Sequence, residues 1–547
     1  MEDMPGRTLN IIILEFKLAY NDVFIYHASK GLKEKKMKYL LGIDIGTSGT
    51  KTILIRETGE VIAKSFVEYP LLTPQPGWAE QDPESWYQAT CETVRDVLDQ
   101  VDIDTTDIAG IGLSGQMHGS VFLDEAGDVI RPALLWCDGR TDAECEEITK
   151  TVGAGKLHEY VSNPALTGFT LPKVLWLKNH EPENYSKVRQ ILLPKDYIRY
   201  RITGEYFMEV SDAAGTIMYD VKNRKWSEEL LDELGIPLEW LPPVKESYDI
   251  CGNITAHPLA DCKLSTGTPV VGGGADNTCG AIGTGIISEG RVLLSLGTSG
   301  VIFAPTDSVK VDPEERLHTF CHSTPKQWYL MGCMLSAGMS LRWFRDQLVQ
   351  VEHRNAEKSG KDIYDQLMAE AGEAPIGSEG LTFLPYLMGE RSPHKDPYAR
   401  GAFIGLSFRH TRGHMVRSII EGVTYNLRHC LEIIKELGVP VNEIRAAGGG
   451  AKSKVWGQIL ADILGEEIVV PENTEGPAMG AALIAGVGTG VYKDFNEATE
   501  RTVSISHRFS PNPESQKAYN DYYSLFRELY PTLKDSFHKG IKLVKGK

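Results

Sequence analysis

The tetrapeptide Gly-Thr-Ser-Gly occurs at 46–49 and again at 297–300, each time behind a short apolar run. The first copy follows Tyr39-Leu40-Leu41-Gly42-Ile43-Asp44-Ile45 and leads into Thr52-Ile53-Leu54-Ile55; the second follows Val292-Leu293-Leu294-Ser295-Leu296 and leads into Val301-Ile302-Phe303. An apolar run, a glycine turn and a second apolar run read as a β-hairpin. The same pattern twice reads as two halves built alike. Such a tip turns with positive φ and brings N–H groups and hydroxyls close to a phosphate, with no Cβ in the way. Two tips facing each other could hold one polyphosphate between them. Turn chemistry alone would explain a single copy; the repetition is what argues for a phosphate site.

Length allows two such halves, since 547 residues exceed what one core supports and suit two large domains. With 57 basic and 74 acidic side chains the formal charge is −17, which disfavours nucleic acid and anionic membranes as partners. An anionic substrate would therefore need local donors. The nine cysteines, at 91, 137, 145, 251, 262, 279, 321, 333 and 430, form no Cys-x-x-Cys pair and are odd in number. That usage fits the reduced thiols of a cytoplasmic protein better than a disulfide framework or a zinc site. No run reaches the roughly 18 apolar residues of a membrane span. Ile11–Leu14 lacks the basic flank and cleavage site of a secretory signal. Residues 1–37 are set apart as an N-terminal extension. The first strand begins after Met37, and Lys33-Glu34 is compatible with a purine-rich ribosome-binding sequence upstream, so Met37 is the expected natural start. Mass spectrometry of the natural N-terminus checks this.

Along the chain, strand-like runs alternate with helical periodicity, which implies an α/β architecture. Gly77–Pro83 is a polar loop, and Tyr87, Thr90, Val94, Val97, Leu98 and Val101 recur at helical spacing. Ile108–Leu113 reads as a buried strand and Ser120–Leu123 as another. Gly110-x-Gly112-x-x-Gly115 matches the dinucleotide fingerprint, but its glycines sit inside a strand and no helix start follows, so the match is rejected. No Gly-x-x-x-x-Gly-Lys-Ser/Thr occurs either, which excludes a P-loop fold. Pro269–Gly274 reads as a strand running into a glycine turn, with Asp276 at the start of a small-residue helix. Met415, Ile419, Val423, Leu427 and Leu431 mark a long helix ending before Gly438. Glu443–Ala447 is strand-like, Gly448-Gly449-Gly450 a turn, and Ser453 an N-cap for a helix to Leu464 with Gly465 as its stop. A helix N-terminus behind a glycine loop favours a nucleotide's ribose or phosphate. Residues beyond about 510 read as terminal helix on the surface.

Together, Asp44–Gly49, the Gly-Gly-Ala-Asp-Asn stretch at 273–277, the second Gly-Thr-Ser and Ala447–Ser453 resemble the FGGY carbohydrate kinases, within the superfamily of actin, hexokinase and Hsp70 ATPases. The similarity spans roughly residues 38–530. Gly115–Gly119, Trp136–Arg140, Leu193–Tyr197, Ser211–Thr216 and Gly389–His394 are similar, more narrowly, to the members that phosphorylate D-xylulose. The resemblance implies two domains with ribonuclease-H-like cores, an actin-like arrangement with a cleft between them. Residues 38–286 would bind the sugar and carry the base, and 287–547 would bind the nucleotide and end in terminal helices.

A sugar hydroxyl is a poor nucleophile and needs a base within hydrogen-bond reach, in line with the γ-phosphate. Asp276 matches the family's catalytic aspartate, and an acid in so small-residued a helix start has little packing reason to be there; helix capping is the alternative. Asp44, at the end of the first strand, would hold Mg²⁺ through water, against the alternative of a turn aspartate bonded to its own backbone. By the same resemblance Met117 and His118 would contact the sugar, His118 through its hydroxyls, with Asn277 and Trp136 as further members of that pocket. Gly46, Thr47, Ser48, Thr50 and Lys51 belong to the first phosphate turn, and Gly297, Thr298 and Ser299 to the second. Gly338, Arg342, Gly449, Gly450 and Lys452 would border the adenosine and its phosphates.

The expected reaction is ATP- and Mg²⁺-dependent phosphorylation of D-xylulose at its 5-hydroxyl. A kinase of the same family for ribulose, gluconate or glycerol is one alternative. A chaperone-like or filament-forming ATPase on the same core is another, against which stands the absence of an appended peptide-binding β domain. The oligomeric state is left open, a homodimer included.

Overall fold

The structure, a computed structural model, describes residues 37–256, 262–472 and 475–545. The expectation about Met37 as natural start concerns residues outside the described ones.

In the first half, β1 (Tyr39–Ile45), β2 (Gly49–Arg56) and β3 (Val61–Glu68) form a meander, followed by α1 (Pro83–Asp99) and β4 (Ile108–Gly115). Three helices of an intervening region, α2 (Thr170–His180), α3 (Pro194–Thr203) and α4 (Val210–Gly215), precede β5 (Ile250–Asn253), β6 (Pro269–Val271) and α5 (Asp276–Gly283). The second half repeats the scheme with β7 (Gly290–Leu296), β8 (Gly300–Thr306), β9 (His318–Cys321), β10 (Trp328–Met334), α6 (Gly338–Leu348), α7 (Arg412–Glu436), β11 (Val441–Ala447), α8 (Lys454–Leu464), β12 (Ile468–Pro471), α9 (Pro477–Gly488), β13 (Ile505–Phe509) and α10 (Pro513–Lys545).

The first sheet runs β5-β6-β4-β1-β2-β3, and the second, read from its far edge, β13-β12-β11-β7-β8-β10-β9. Directions match position by position: β1 is antiparallel to β2 and parallel to β4, as β7 is to β8 and β11. Both Gly-Thr-Ser-Gly copies are hairpin tips, with Ile45 facing Thr50 and Leu296 facing Gly300. The α/β reading and the duplicated build inferred from the repeat both hold.

Helix α9 belongs to the second half by sequence yet packs on β1 and β4 of the first sheet and against α5. Its residues 478–486 are buried all round, as expected of a helix with apolar surface on every side. Glycines make the close approach possible. A Cβ on Gly42 would lie 2.0 Å from the Ala478 carbonyl oxygen, and one on Gly112 1.9 Å from that of Ala481. Gly112 therefore serves helix packing rather than a dinucleotide, which explains the misleading fingerprint.

Two expectations are corrected. Cys91 on α1 and Cys262 form a disulfide with a Cα–Cα distance of 4.4 Å, so the chain is not made of free thiols only. Both lie in one core with Val94, Ile254 and Leu264, a meeting that a separation of 171 residues hides. The terminal helix α10 is not merely superficial: Tyr519, Tyr523, Phe526 and Tyr530 are buried in the second half's core. No helix among the described residues is long and apolar enough to cross a membrane.

Candidate active site

Each hairpin tip is fixed by its own backbone and by a neighbour. In the first, the Gly46 N–H donates to the Gly49 carbonyl (3.1 Å). The Thr47 hydroxyl donates to Gln116 Oε1 (3.1 Å) and accepts from Trp136 Nε1 (2.9 Å), while Gln81 Nε2 donates to the Thr47 carbonyl (2.8 Å). With that hydroxyl committed, the tip has its main chain and the Ser48 hydroxyl to offer an anion. Ser48 is exposed, Thr50 is fully buried, and Lys51 is ion-paired with Glu475. In the second tip, Gly297 N–H donates to Ser299 O (3.1 Å); the Gly338 and Met339 N–H groups donate to Gly297 O (2.9 Å) and Thr298 O (3.0 Å), which ties the tip to the start of α6.

Two carboxylates stand on the first half. Asp44, at the end of β1, accepts a hydrogen bond from Ser114 Oγ on β4 (2.9 Å), so it is bonded across the sheet rather than to its own turn. Burial raises its pKa to about 6 against the opposing pull of Ser114 and Lys51. Asp276 opens α5, whose N-cap is Ala275 and makes no side-chain cap bond; Asp276 Oδ1 is buried without a partner. Its pKa rises to about 7, first through burial and then through the charge on Asp44. Beneath α5 lies a buried charge cluster. Lys195 Nζ contacts Asp196 (2.8 Å), Asp212 (2.7 Å) and Glu209 (3.3 Å), and Arg199 pairs with Asp196 (2.8 Å). Glu209 accepts from Ser211 Oγ (2.7 Å), which in turn accepts the Ala275 N–H (3.0 Å), so the cluster holds the residue before Asp276.

His118 has φ +65°, in the left-handed region that non-glycine residues occupy uncommonly. Its Nδ1 lies 2.7 Å from the Gly215 carbonyl, which places the proton on Nδ1 and leaves Nε2 as an acceptor. Burial, with Lys173 nearby, pushes its pKa well below the ordinary histidine value, so the ring is neutral. The buried Lys173 donates to the carbonyls of His118 (2.7 Å) and Gly168 (2.8 Å), and Thr170 Oγ1 donates to His118 O (3.2 Å). Asn277 Nδ2 approaches the sulfurs of Met117 (3.4 Å) and, from β10 of the second half, Met331 (3.5 Å). Trp136 has its indole N–H engaged by Thr47, as above. The structure thus gathers Met117, His118, Asn277 and Asp276 along one wall.

Within the second half, a cavity of about 880 Å³ is bordered by Gly297, Thr298, Gly338, Arg342, Gly449, Gly450 and Lys452, all singled out in the sequence, together with Met339, Tyr364, Asp365 and Met368, which were not. Ser453 caps α8 there, accepting from the Trp456 N–H (3.3 Å). Sequence reading also missed Lys173, Ser114 and Gln81. Gln81 lay in a loop read only as polar, Ser114 within a motif valued for other residues, and Lys173 in an apolar helix with nothing local to mark it.

Two halves of one actin-like build, one bearing buried carboxylates and the other a glycine-lined cavity, define a kinase-class fold. The chain belongs to the FGGY family of carbohydrate kinases. The model of the family's N-terminal domain matches residues 39–283 and that of its C-terminal domain residues 292–489. It is 40% identical to the xylulose kinase of Bacillus subtilis (strain 168) over 91% of this chain and 98% of that one. It is 33% identical to the gluconokinase of the same organism over 91% of this chain and 97% of that one. Among solved structures, the xylulose kinase from Rhodospirillum rubrum superposes with a TM-score of 0.84 at 32% identity, covering 92% of this chain and all of that one.

Proposed function

We propose that the protein transfers the γ-phosphoryl group of ATP to the 5-hydroxyl of D-xylulose, giving D-xylulose 5-phosphate and ADP. The observation that carries this reading is the half-buried Asp276 carboxylate, its Oδ1 enclosed without a partner and its pKa raised to about 7, beside Asn277 and the sugar-side loop of Met117 and His118. A base works best when its pKa lies near the working pH. Asp276 accepts the proton of the attacking hydroxyl; His118 Nε2 accepts from another sugar hydroxyl, and the amide of Asn277 serves the same pocket. ATP occupies the cavity of the second half, its phosphates reaching toward both tips. Domain closure excludes water, the competing nucleophile.

Mg²⁺ fits Asp44. A buried carboxylate with a raised pKa, one hydroxyl donor and a second carboxylate in electrostatic reach is a site short of positive charge. When bound, the ion would neutralise charge on the transferring phosphate. The substrate is tested with a panel of sugars and polyols in a coupled ADP-release assay. D-xylulose is expected to give the highest kcat/KM; a higher value for gluconate, ribulose or glycerol would reassign the substrate. Turnover of ATP with no response to any sugar would overturn the kinase reading altogether.

A further inference from the structure

We infer that Arg391, supplied by the second half, contacts the sugar at its C1–C2 hydroxyketone end, the end remote from the transferred phosphate. This rests on the reading of the cleft as a D-xylulose pocket. Backbone bonds hold the loop that carries the residue in place. Glu390, buried, accepts from the N–H groups of Arg391 (2.8 Å) and Leu335 (3.0 Å); the Ser392 N–H donates to Cys333 O (3.0 Å), and the Lys395 N–H donates to Arg391 O (2.7 Å). The side chain, by contrast, makes no hydrogen bond or ion pair among the described residues, although it is only partly exposed. A guanidinium carries five donors, and a half-buried one with none of them used is costly unless a ligand or water takes them.

Its position is set from the first half. Arg391 Nη2 stands 3.5 Å from where a Cβ on Gly168 would be; the Gly168 carbonyl is held by Lys173, the residue that also holds His118. Phe169 lies edge-on to His118 (ring centroids 4.8 Å apart) and to His318 of the second half (5.5 Å). His318 is itself buried with Nδ1 unpartnered, a second unmet polar group in the same wall. The charge of Arg391 bears on His118, Lys173 and His318, and also on Glu390 and Cys333. The approach of its Nη2 to Gly168, whose carbonyl shares the Lys173 amine with that of His118, puts Arg391 on the His118 side of the pocket. There its donors complement the carbonyl and hydroxyl oxygens of a hydroxyketone, while His118 supplies an acceptor. Because the residue comes from the opposite half, sugar bound to it also draws the halves together.

The test is the affinity of the full-length protein for D-xylulose without nucleotide, read by calorimetry for wild type, Arg391→Met and Arg391→Lys, with Tm as a check on folding. Arg391→Met is expected to weaken sugar binding at least tenfold and Arg391→Lys less, with KM for ATP unchanged. The 1-deoxy analogue and xylitol serve as probes of the remote end: at least one of the wild-type preferences for D-xylulose over these two should shrink at least fivefold in Arg391→Met. Unchanged D-xylulose affinity in Arg391→Met, or both preferences retained, overturns the contact. If Arg391→Met fails to fold, the same two preferences measured in Arg391→Lys decide. A wild type that neither binds nor phosphorylates D-xylulose refutes the substrate reading instead, a distinct result.

Discussion

Helices α5 and α9 leave matching strands of their sheets, β6 and β12, and pack against each other where the halves meet. α5 begins Asp276-Asn277-Thr278 and presents a carboxylate; α9 begins Pro477-Ala478-Met479 and presents nothing titratable. The first tip is preceded by Asp44, the second by Ser295. Equivalent positions are thus chemically unequal on both counts, and both carboxylates fall on one half. Duplication supplies two scaffolds that can close on a substrate. The reaction needs acid–base chemistry on one side only, so the other copy is released to pack.

The sharpest way to break the comparison is to make α5 resemble α9. Asp276→Asn is expected to lower kcat by about 10² to 10⁴, the usual worth of a general base, while nucleotide binding is retained. Near-normal kcat would end the assignment. The same variant should be more stable. A carboxyl whose folded pKa is about 7, against 3.8 for the ordinary group, stays protonated in the fold after it has ionised in the unfolded chain. Stability is therefore lost as pH rises from about 4 to about 7, and removing the group restores about 1 to 3 kcal/mol above pH 7. Thermal melts at pH 5 and pH 8 check this; the gain belongs at pH 8.

The contact between the two helices gives the next test. A Cβ on Gly480 would lie 1.8 Å from the Cys279 carbonyl oxygen, so Gly480→Ala should push α9 off α5 and cost about 1 to 3 kcal/mol. Because α5 carries the base, kcat should fall with Tm. An unchanged Tm would mean that the halves meet elsewhere.

Much of this was legible because it is local. The hairpin tips, the Ser453 cap, the Gly465 stop with φ +70° and Asp276 at its helix start are each announced within a few residues. What was not legible depends on partners far along the chain. Gly42 and Gly112 look like strand interruptions until α9 is laid on them; Lys173 looks like a solvated lysine until its amine is found on two carbonyls; Cys91 and Cys262 look unpaired until α1 packs. Spacing carries no trace of such contacts. Only the repeat hinted at one, because like halves tend to meet at like elements.

The pH profile sharpens the asymmetry further, since α9 has no group that could contribute. The base must be ionised to accept a proton, so kcat/KM for the sugar should fall about tenfold per unit below about pH 7, where Asp276 protonates. A flat profile between pH 5 and 8 would contradict the raised pKa.

The smallest effect separates the sugar side from the nucleotide side within the cleft. Lys173→Met keeps an unbranched stem one atom shorter and removes the donors that hold the carbonyls of His118 and Gly168. His118 keeps its ring bond to Gly215 and the Thr170 hydroxyl on its carbonyl, so its positive-φ backbone should loosen rather than collapse. KM for D-xylulose is then expected to rise several-fold, roughly the worth of one or two hydrogen bonds, with KM for ATP unchanged because its cavity lies in the other half. Burial lowers the Lys173 pKa to about 7, so the charged form is disfavoured in the fold and wild-type stability declines as pH falls from about 10 toward 7. The methionine variant lacks that cost, and its Tm relative to wild type should improve toward neutral pH even as its sugar KM worsens. A rise in KM for both substrates would show a general structural role for Lys173 in place of a hold on His118.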